Sequence, residues 1–184
     1  MGYFQSDVIF KICIFGDGGV GKSTLIRRYL TGLFDDSTSM TIGLDFYSKQ
    51  LIIKGIKIAL QVWDFAGEER FRFLLPSYVM GASGGIFMYD ITRFTSLKNF
   101  PEWFSIFKKG FNNSNNDEQK LPIIMIGGKS DLSEKRTVLR KHAEKIVNDE
   151  NLYSYFECSS KTGENVENIF NEIVLYLLKI AKIF

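Results

Sequence analysis

The distribution of apolar residues along the chain predicts buried strands that alternate with amphipathic helices. Val8–Phe15 is a mostly apolar run, as expected of a strand that is buried on both faces. Further strand-like segments, either apolar or alternating, span residues 44–53, 56–63, 85–91, 121–126 and 153–158. Most of the predicted helices place apolar residues three or four positions apart; the helices span residues 23–30, 96–109, 134–150 and 164–184.

The order of these elements predicts an α/β fold. Lys54 and Gly55 separate two adjacent strands, which is typical of an antiparallel hairpin. After the hairpin, strands and helices alternate, and this order favours parallel strands with helices on both faces of the sheet. We therefore expect one domain over residues 1–184, built on a six-stranded, mostly parallel sheet with one antiparallel edge strand. In such sheets, ligands bind at the carboxyl ends of the strands.

A glycine-rich segment between the first strand and the first helix matches a phosphate-binding pattern in full. Gly16–Ser23 has the sequence Gly-Asp-Gly-Gly-Val-Gly-Lys-Ser, which fits the motif Gly-x4-Gly-Lys-Ser/Thr. Its glycines let the backbone turn tightly and aim N–H groups at an anion near the positive end of the helix dipole. Lys22 can reach the β- and γ-phosphates of a nucleotide, and the Ser23 hydroxyl can coordinate Mg²⁺. The alternative is a glycine-rich turn with a chance lysine, and the complete motif between a strand and a helix argues against it.

Composition and charge exclude several other classes of protein. The chain has 184 residues, of which 45% are hydrophobic, and this is enough for one full core. Its formal net charge is +2, from 23 basic and 21 acidic residues, so nucleic-acid binding through bulk charge is not expected. No apolar run is long enough to span a bilayer and the N-terminus does not resemble a signal peptide, which predicts a cytoplasmic protein. Cys13 and Cys158 form no metal-binding motif and are predicted to be reduced core residues.

Three more groups of polar residues follow predicted strands. Asp64 follows the second strand of the hairpin, where it could hold the hydration shell of Mg²⁺ or, alternatively, act as an ordinary strand-end acid that caps Arg70. Asp131 follows the strand at residues 121–126. Its carboxylate could accept two parallel hydrogen bonds from the ring N–H and the amino group of guanine, a pair of donors that adenine lacks. Ser159–Gly163 follows the last strand, at the same edge of the predicted sheet.

In this order, the motifs resemble those of the Ras superfamily of small GTPases, and the resemblance covers essentially the whole chain. Within that superfamily the chain is most similar to the Rab branch. The similarity lies in Thr41–Phe46, in Trp63-Asp64 followed by Ala66-Gly67, and in Glu69–Phe71. The resemblance implies a P-loop NTPase fold of the Ras-like G-domain type, with GTP or GDP and Mg²⁺ as ligands. The aromatic residues that line the effector-facing surface of Rab proteins correspond here to Phe46, Trp63 and Tyr78.

The resemblance also assigns roles to individual residues. The phosphate-binding groups would be the Lys22 side chain and the backbone amides of Gly19, Val20, Gly21, Lys22, Ser23 and Thr24. Ser23 and Thr41 would coordinate Mg²⁺, and Asp64 would hold it through water. The nucleoside contacts would come from Phe34, Lys129, Asp131, Ser159, Ser160 and Lys161. The amide of Gly67 would sense the γ-phosphate, and the residues at the reaction would be Glu68, Lys22, Thr41 and Gly67.

Three positions depart from the family pattern. Glu68 replaces the glutamine that orients the attacking water, and an ionised carboxylate can accept a hydrogen bond from water but cannot donate one to the phosphate. Gly128 replaces the asparagine that precedes Lys129, which predicts a weaker hold on the base and faster release of GDP. Phe65 stands where the family has threonine.

A GTP-hydrolysing molecular switch is the favoured function, with effectors, an exchange factor and a GTPase-activating protein as partners. The second hypothesis is a guanine-nucleotide-binding module with little or no hydrolysis, which Glu68 would explain. A P-loop ATPase or small-molecule kinase is the third, and Asp131 argues against it. We expect a monomer without a nucleic-acid partner. Ile180–Phe184 contains no cysteine, so no membrane anchor is expected within this chain, and peripheral membrane association would require a lipidated tail outside it.

Overall fold

A six-stranded β-sheet forms the centre of the computed structural model, which describes residues 5–37, 40–111 and 121–183. In chain order the strands are β1 (Val8–Phe15), β2 (Leu44–Ile53), β3 (Ile56–Phe65), β4 (Gly84–Asp90), β5 (Leu121–Gly128) and β6 (Leu152–Cys158). Their order across the sheet is β2-β3-β1-β4-β5-β6. The edge strand β2 pairs with β3 in the antiparallel sense, and the other pairings among these strands are parallel. The predicted sheet is thereby confirmed.

Helices cover both faces of the sheet, as predicted. They are α1 (Lys22–Thr31), α2 (Leu75–Val79), α3 (Phe94–Lys98), α4 (Phe100–Gly110), α5 (Arg140–Asp149) and α6 (Val166–Ile180). Short 3₁₀ helices cover Glu69–Leu74 and Ser130–Lys135. Within the described ranges, no helix is long and apolar enough to cross a membrane.

Three of the predicted helices differ from the observed ones. The last helix, predicted over residues 164–184, spans only Val166–Ile180. The helix predicted over residues 96–109 is divided into α3 and α4 at Asn99. Pro101 explains the division, because it has no N–H to donate and its ring would clash with the carbonyl group four residues earlier in a continuous helix. The helix predicted from residue 134 begins only at Arg140, since two N–H groups in the preceding segment donate to the carbonyl oxygen of Ile91 instead.

The sheet separates two hydrophobic cores, because side chains alternate between its faces along each strand. Ile12 and Ile14 of β1 belong to the core that contains α1 and α6, whereas Cys13 and Phe15 belong to the core that contains α2 to α5. Both cysteines are buried free thiols, as predicted. Burial raises the pKa of the Cys13 and Cys158 thiols to about 12, which favours the neutral thiol over the nucleophilic thiolate at neutral pH.

A chain of polar side chains connects β4, β6 and the segment before α5. The hydroxyl groups of Tyr89 and Tyr155 lie 2.8 Å apart, and Tyr155 donates to Glu157 Oε1 at 2.8 Å. Arg136 donates to both carboxylate oxygens of Glu157, each at 2.8 Å. The hydrogen bonds from Arg136 lower the pKa of Glu157, although partial burial acts in the opposite direction. The Glu157 carboxylate thus links the last strand to two other parts of the fold.

We expect the Glu157→Gln variant to lose about 1–3 kcal/mol of unfolding free energy at neutral pH, because charge-assisted hydrogen bonds become weaker. Since the folded-state pKa of Glu157 is lowered, its charge stabilises the fold above the unfolded pKa. That stabilisation is lost as the pH falls through the folded pKa. The difference from wild type should therefore shrink as the pH falls below about 4.5. Urea unfolding across this range measures it, with Glu134→Gln at an exposed carboxylate as the control. A difference that does not change with pH would contradict the role of the charge.

Candidate functional site

The loop that joins β1 to α1 lies at the carboxyl edge of the sheet. Gly16 adopts a φ of 135°, and a Cβ at this residue would lie 2.2 Å from the carbonyl oxygen of Met88 on the neighbouring strand. Glycine is therefore required, both for the backbone conformation and for the close approach of the two strands. The strand, the glycine loop and the helix follow one another as predicted, and Lys22 is the first residue of α1.

The side chain of Lys22 lies within this loop. Its Nζ donates to the carbonyl oxygens of Gly16 and Asp17, at 2.7 and 2.9 Å. Burial lowers the pKa of the Lys22 ammonium group to about 8, while the carboxylates of Asp64 and Asp17 oppose this shift. The ammonium group thus fixes two carbonyl oxygens and places a positive charge inside the loop.

Two further cations hold the next carbonyl groups of the loop. Arg93, from the turn after β4, donates to the carbonyl oxygen of Gly18 at 2.6 Å. Lys129, which follows β5, donates to that of Gly19 at 3.0 Å and pairs with Asp90 at 2.7 Å. In a trans peptide plane the N–H and C=O groups point in opposite directions. The N–H groups that share these peptide planes are therefore directed away from the cations, where an anion could accept them.

Asp17 connects the outer side of the loop to α4. Its carboxylate accepts hydrogen bonds from Trp103 Nε1 and Asn99 Nδ2, both at 2.8 Å. Arg72, from the 3₁₀ helix after β3, lies 3.7 Å from the same carboxylate and also pairs with Glu102. The sequence pattern assigns Trp103 only to the apolar face of a helix, so these contacts were not predicted.

Ser23, Thr41 and Asp64 meet beside the glycine loop. Ser23 Oγ donates to Asp64 Oδ2 at 2.5 Å, and the Ser23 and Thr41 hydroxyl groups lie 2.8 Å apart. Burial raises the pKa of Asp64, whereas the hydrogen bond from Ser23 and the charge of Lys22 act in the opposite direction. Asp64 Oδ1 is buried and has no hydrogen-bond partner among the residues that the structure describes. An unsatisfied carboxylate beside two hydroxyl groups supplies the hard oxygen ligands that Mg²⁺ prefers, so these residues fit that ion.

The segment after β3 packs against the glycine loop. Gly18 donates its N–H to the carbonyl oxygen of Gly67 at 3.1 Å, and a Cβ at Gly67 would lie 2.1 Å from the Gly18 nitrogen. Glu68 lines the cavity beside the loop and forms an ion pair with Arg70 at 2.8 Å. Because Arg70 pairs with Glu68 while Asp64 accepts from Ser23, the alternative role of Asp64 as a cap for Arg70 is wrong.

Asp131 is oriented by the loop that follows β6. Its Oδ1 accepts a hydrogen bond from Ser159 Oγ at 2.6 Å, and Ser159 is fully buried. Ser160 and Lys161 line the cavity next to Asp131, whereas Ser159 lies behind it. The contact of Ser159 is therefore with the Asp131 carboxylate and not with the cavity.

A cavity of about 710 Å³ brings most of the predicted site residues together. This volume is within the range of small-molecule binding sites. The predicted residues that line the cavity are Gly19, Val20, Gly21, Lys22, Ser23, Thr24, Phe34, Thr41, Gly67, Glu68, Lys129, Asp131, Ser160 and Lys161. The cavity is also lined by residues that carry no motif, and sequence reasoning did not find them; among these are Arg27, Asp35, Asp36, Met40, Met88 and Leu132.

The aromatic residues singled out in the sequence form a contiguous surface on β2, β3 and α2. The ring centroids of Phe46 and Trp63 lie 5.2 Å apart, and those of Trp63 and Tyr78 lie 5.7 Å apart. Phe46 is 51% exposed, and Ile42, which precedes β2, is 78% exposed. Exposed apolar side chains that cluster in this way are typical of a protein-binding surface.

The fold and the glycine loop together define a P-loop NTPase with a Ras-like G-domain fold. A family model described as "Ras family" matches residues 11–179. The chain is 39% identical over 176 residues to Ras-related protein Rab-30 of Homo sapiens, which covers 96% of this chain and 83% of that protein. It is 40% identical over 164 residues to Ras-related protein Rab-19 of Xenopus laevis, and the aligned region covers 89% of this chain and 74% of that protein. The chain therefore belongs to the Ras family and is Rab-like. Membership supports a small GTPase that acts as a switch and binds GTP and GDP.

We expect the Arg93→Met variant to release GDP about tenfold faster than wild type, because the Gly18 carbonyl group loses a charged donor worth about 1.5–3 kcal/mol. Methionine keeps an apolar stem of similar length, so the change isolates the guanidinium group. Release of a fluorescent GDP analogue measures the effect. Arg140→Met, at an exposed ion pair on α5, is the control. Equal release rates in the Arg93 variant and the wild type would show that this contact does not support the loop.

Proposed function

We propose that this chain is a GTP/GDP molecular switch that hydrolyses GTP to GDP and phosphate with Mg²⁺, and that residues 1–184 form one G domain. The observation that carries the proposal is the convergence of three groups at one cavity. The glycine loop, the Ser23–Thr41–Asp64 cluster and Asp131 all lie there or directly behind its wall. They match the three parts of a guanine nucleotide complex, namely the phosphates, the metal ion and the base. Membership of the Ras family supports the same assignment.

The glycine loop and Lys22 would hold the phosphates. The carbonyl groups of residues 16–19 already have cationic partners, and the amides of residues 19–24 continue into the first turn of α1; this favours an anion beside those amides. Burial disfavours the charge of Lys22, so an anionic phosphate nearby would stabilise it. Ser23 and Thr41 would coordinate Mg²⁺ and Asp64 would hold it through water; the ion, when bound, would offset negative charge on the phosphates.

Asp131 would select guanine. The hydrogen bond from Ser159 orients one carboxylate oxygen of Asp131, which reduces the freedom of the side chain before a base arrives. Phe34 would lie against the base, and Ser160 and Lys161 would add contacts beside it. Lys129 would connect the base-binding end of the site to the glycine loop, because its ammonium group donates to the Gly19 carbonyl oxygen.

The Asp131→Asn variant should prefer xanthine nucleotides to guanine nucleotides, because an amide donor matches the oxygen that xanthine carries in place of the amino group. We expect the binding free energy of the xanthine nucleotide relative to the guanine nucleotide to change by about 1–3 kcal/mol, which is the range of a bidentate contact to a base. Equilibrium binding of GDP, XDP and ADP with Mg²⁺ present measures it. Asp36→Asn, at another carboxylate that lines the cavity, is the matched control. A wild type that binds ADP as tightly as GDP would contradict the assignment of Asp131.

The γ-phosphate would control the two segments that flank the cavity. Thr41 and the amide of Gly67 would be drawn to it in the GTP state and released after hydrolysis. Effectors would then bind the adjoining apolar residues, which include Ile42, Phe46, Trp63, Phe71 and Tyr78. An exchange factor and a GTPase-activating protein would act on the same segments, and we propose that the switch itself is a monomer.

Glu68 is the residue next to Gly67 and would meet the attacking water. Its carboxylate could polarise the water but would be repelled by the phosphate and would donate no hydrogen bond to it. The ion pair with Arg70 offsets part of that repulsion, and this favours hydrolysis over the alternative of a binding module without turnover. Segment 32–43 contains no arginine, so a large acceleration would have to come from a partner.

We predict intrinsic GTP hydrolysis on the order of 10⁻⁴ to 10⁻³ per second, the range of Ras itself. Glu68→Gln should react at a similar rate, and Glu68→Ala should be slower because it has no group to orient the water. Single-turnover assays of the three proteins measure this, with Glu69→Gln as the control at an exposed neighbour.

Two outcomes of these assays would contradict the proposal. A wild type without turnover that Glu68→Gln restores would identify the chain as a binding module. An unchanged rate in Glu68→Ala would remove Glu68 from the mechanism.

A further inference from the structure

Met88 separates the loops that hold the two ends of the proposed nucleotide site. It lies on β4, is only 1% exposed and lines the cavity. Its Cε atom would lie 2.4 Å from a Cβ added at Gly128 and 3.5 Å from one added at Gly21. The Met88 methyl group therefore occupies the space that a side chain at position 128 would take.

Two backbone carbonyl groups also border this space. A Cβ at Gly128 would also lie 3.3 Å from the carbonyl oxygen of Val20 and 3.4 Å from that of Tyr89. Gly128 and Asp90 are partners in the pairing of β4 with β5, which limits movement of the backbone here. A longer side chain at position 128 would therefore displace the Met88 methyl group, which lies next to Gly21 of the glycine loop and lines the cavity.

We propose that Met88 and Gly128 are a size-matched pair, and that Met88 is a positioning residue for the nucleotide site. The inference rests on the proposed function, because it concerns how tightly a guanine nucleotide is held. The Met88 side chain packs between Gly21 and the strand end that carries Lys129, whose ammonium group bonds the Gly19 carbonyl oxygen. An apolar group from β4 thus replaces the side chain that the family pattern places at position 128.

The pairing changes what an asparagine at position 128 would do. Asparagine alone would gain a polar group but would also push the Met88 methyl group, the flexible end of that buried side chain, into neighbouring space, and this overpacks the site. Valine at position 88 lacks the Sδ and Cε atoms, so Met88→Val removes the conflict. The two substitutions should therefore depend strongly on each other, as residues in direct contact do.

A double-mutant cycle tests the pair with four proteins: wild type, Met88→Val, Gly128→Asn and the double variant. The rate of GDP release is measured with a fluorescent analogue, and unfolding with urea. Gly128→Asn alone should release GDP about tenfold faster than wild type, as expected of overpacking. The double variant should release GDP as slowly as wild type or more slowly. Effects that simply multiply, or slower release in Gly128→Asn alone, would overturn the inference.

A second cycle provides the control. Met125→Val replaces Met88→Val there, because Met125 is also a buried methionine but belongs to the opposite core. Its effects should combine with those of Gly128→Asn without coupling. If Gly128→Asn does not fold, Gly128→Ala replaces it in the cycle. Alanine adds only the Cβ, so its coupling to Met88→Val should have the same sign and a smaller magnitude. If the wild type retains no guanine nucleotide, the proposed function fails, while coupling in the unfolding free energies still decides whether the pair exists.

Discussion

The site depends on where the carbonyl groups of the glycine loop find their hydrogen-bond donors. Four successive carbonyl oxygens, from Gly16 to Gly19, accept from Lys22, Arg93 and Lys129. Backbone acceptors in a partly buried loop need partners, and here every one of these partners carries a positive charge. The same contacts that satisfy the backbone therefore make the loop electropositive. Because the three cations come from α1 and from the ends of β4 and β5, the strand order that brings these elements together is a condition for the site.

Burial acts on the two charged groups at the centre of the site in opposite directions. It lowers the pKa of Lys22 and raises that of Asp64, and in both cases it disfavours the charged form. Each group partly stabilises the other, yet Asp64 Oδ1 still lacks a partner among the described residues. The free protein thus keeps a carboxylate oxygen that a cation would satisfy and an ammonium group that an anion would satisfy. A ligand that brings both charges at once suits this arrangement.

Site features that depend on consecutive residues could be predicted from the sequence. Contacts between residues that are far apart in the chain could not. The conformation of Gly16–Ser23 can be predicted from the segment itself, because its glycines and lysine have a fixed spacing. Arg93 lies in a turn after β4 and Met88 in an ordinary apolar strand, so nothing near either residue indicates its contact with the loop. The division of the helix at Asn99 is different, because Pro101 is a local signal for it. Ser159 was predicted in the site, but only the structure shows that it bonds Asp131.

The hydrogen bond from Gly18 to Gly67 couples the segment after β3 to the glycine loop. One N–H of the loop is already taken by a carbonyl oxygen from the segment after β3. The amides proposed to hold an anion begin at the next residue, so a shift of Gly67 would change the loop beside that anion. By linkage, binding of the anion would affect the position of Gly67 by the same free energy. A protein that binds the segment from outside would therefore change the affinity for the anion without touching it.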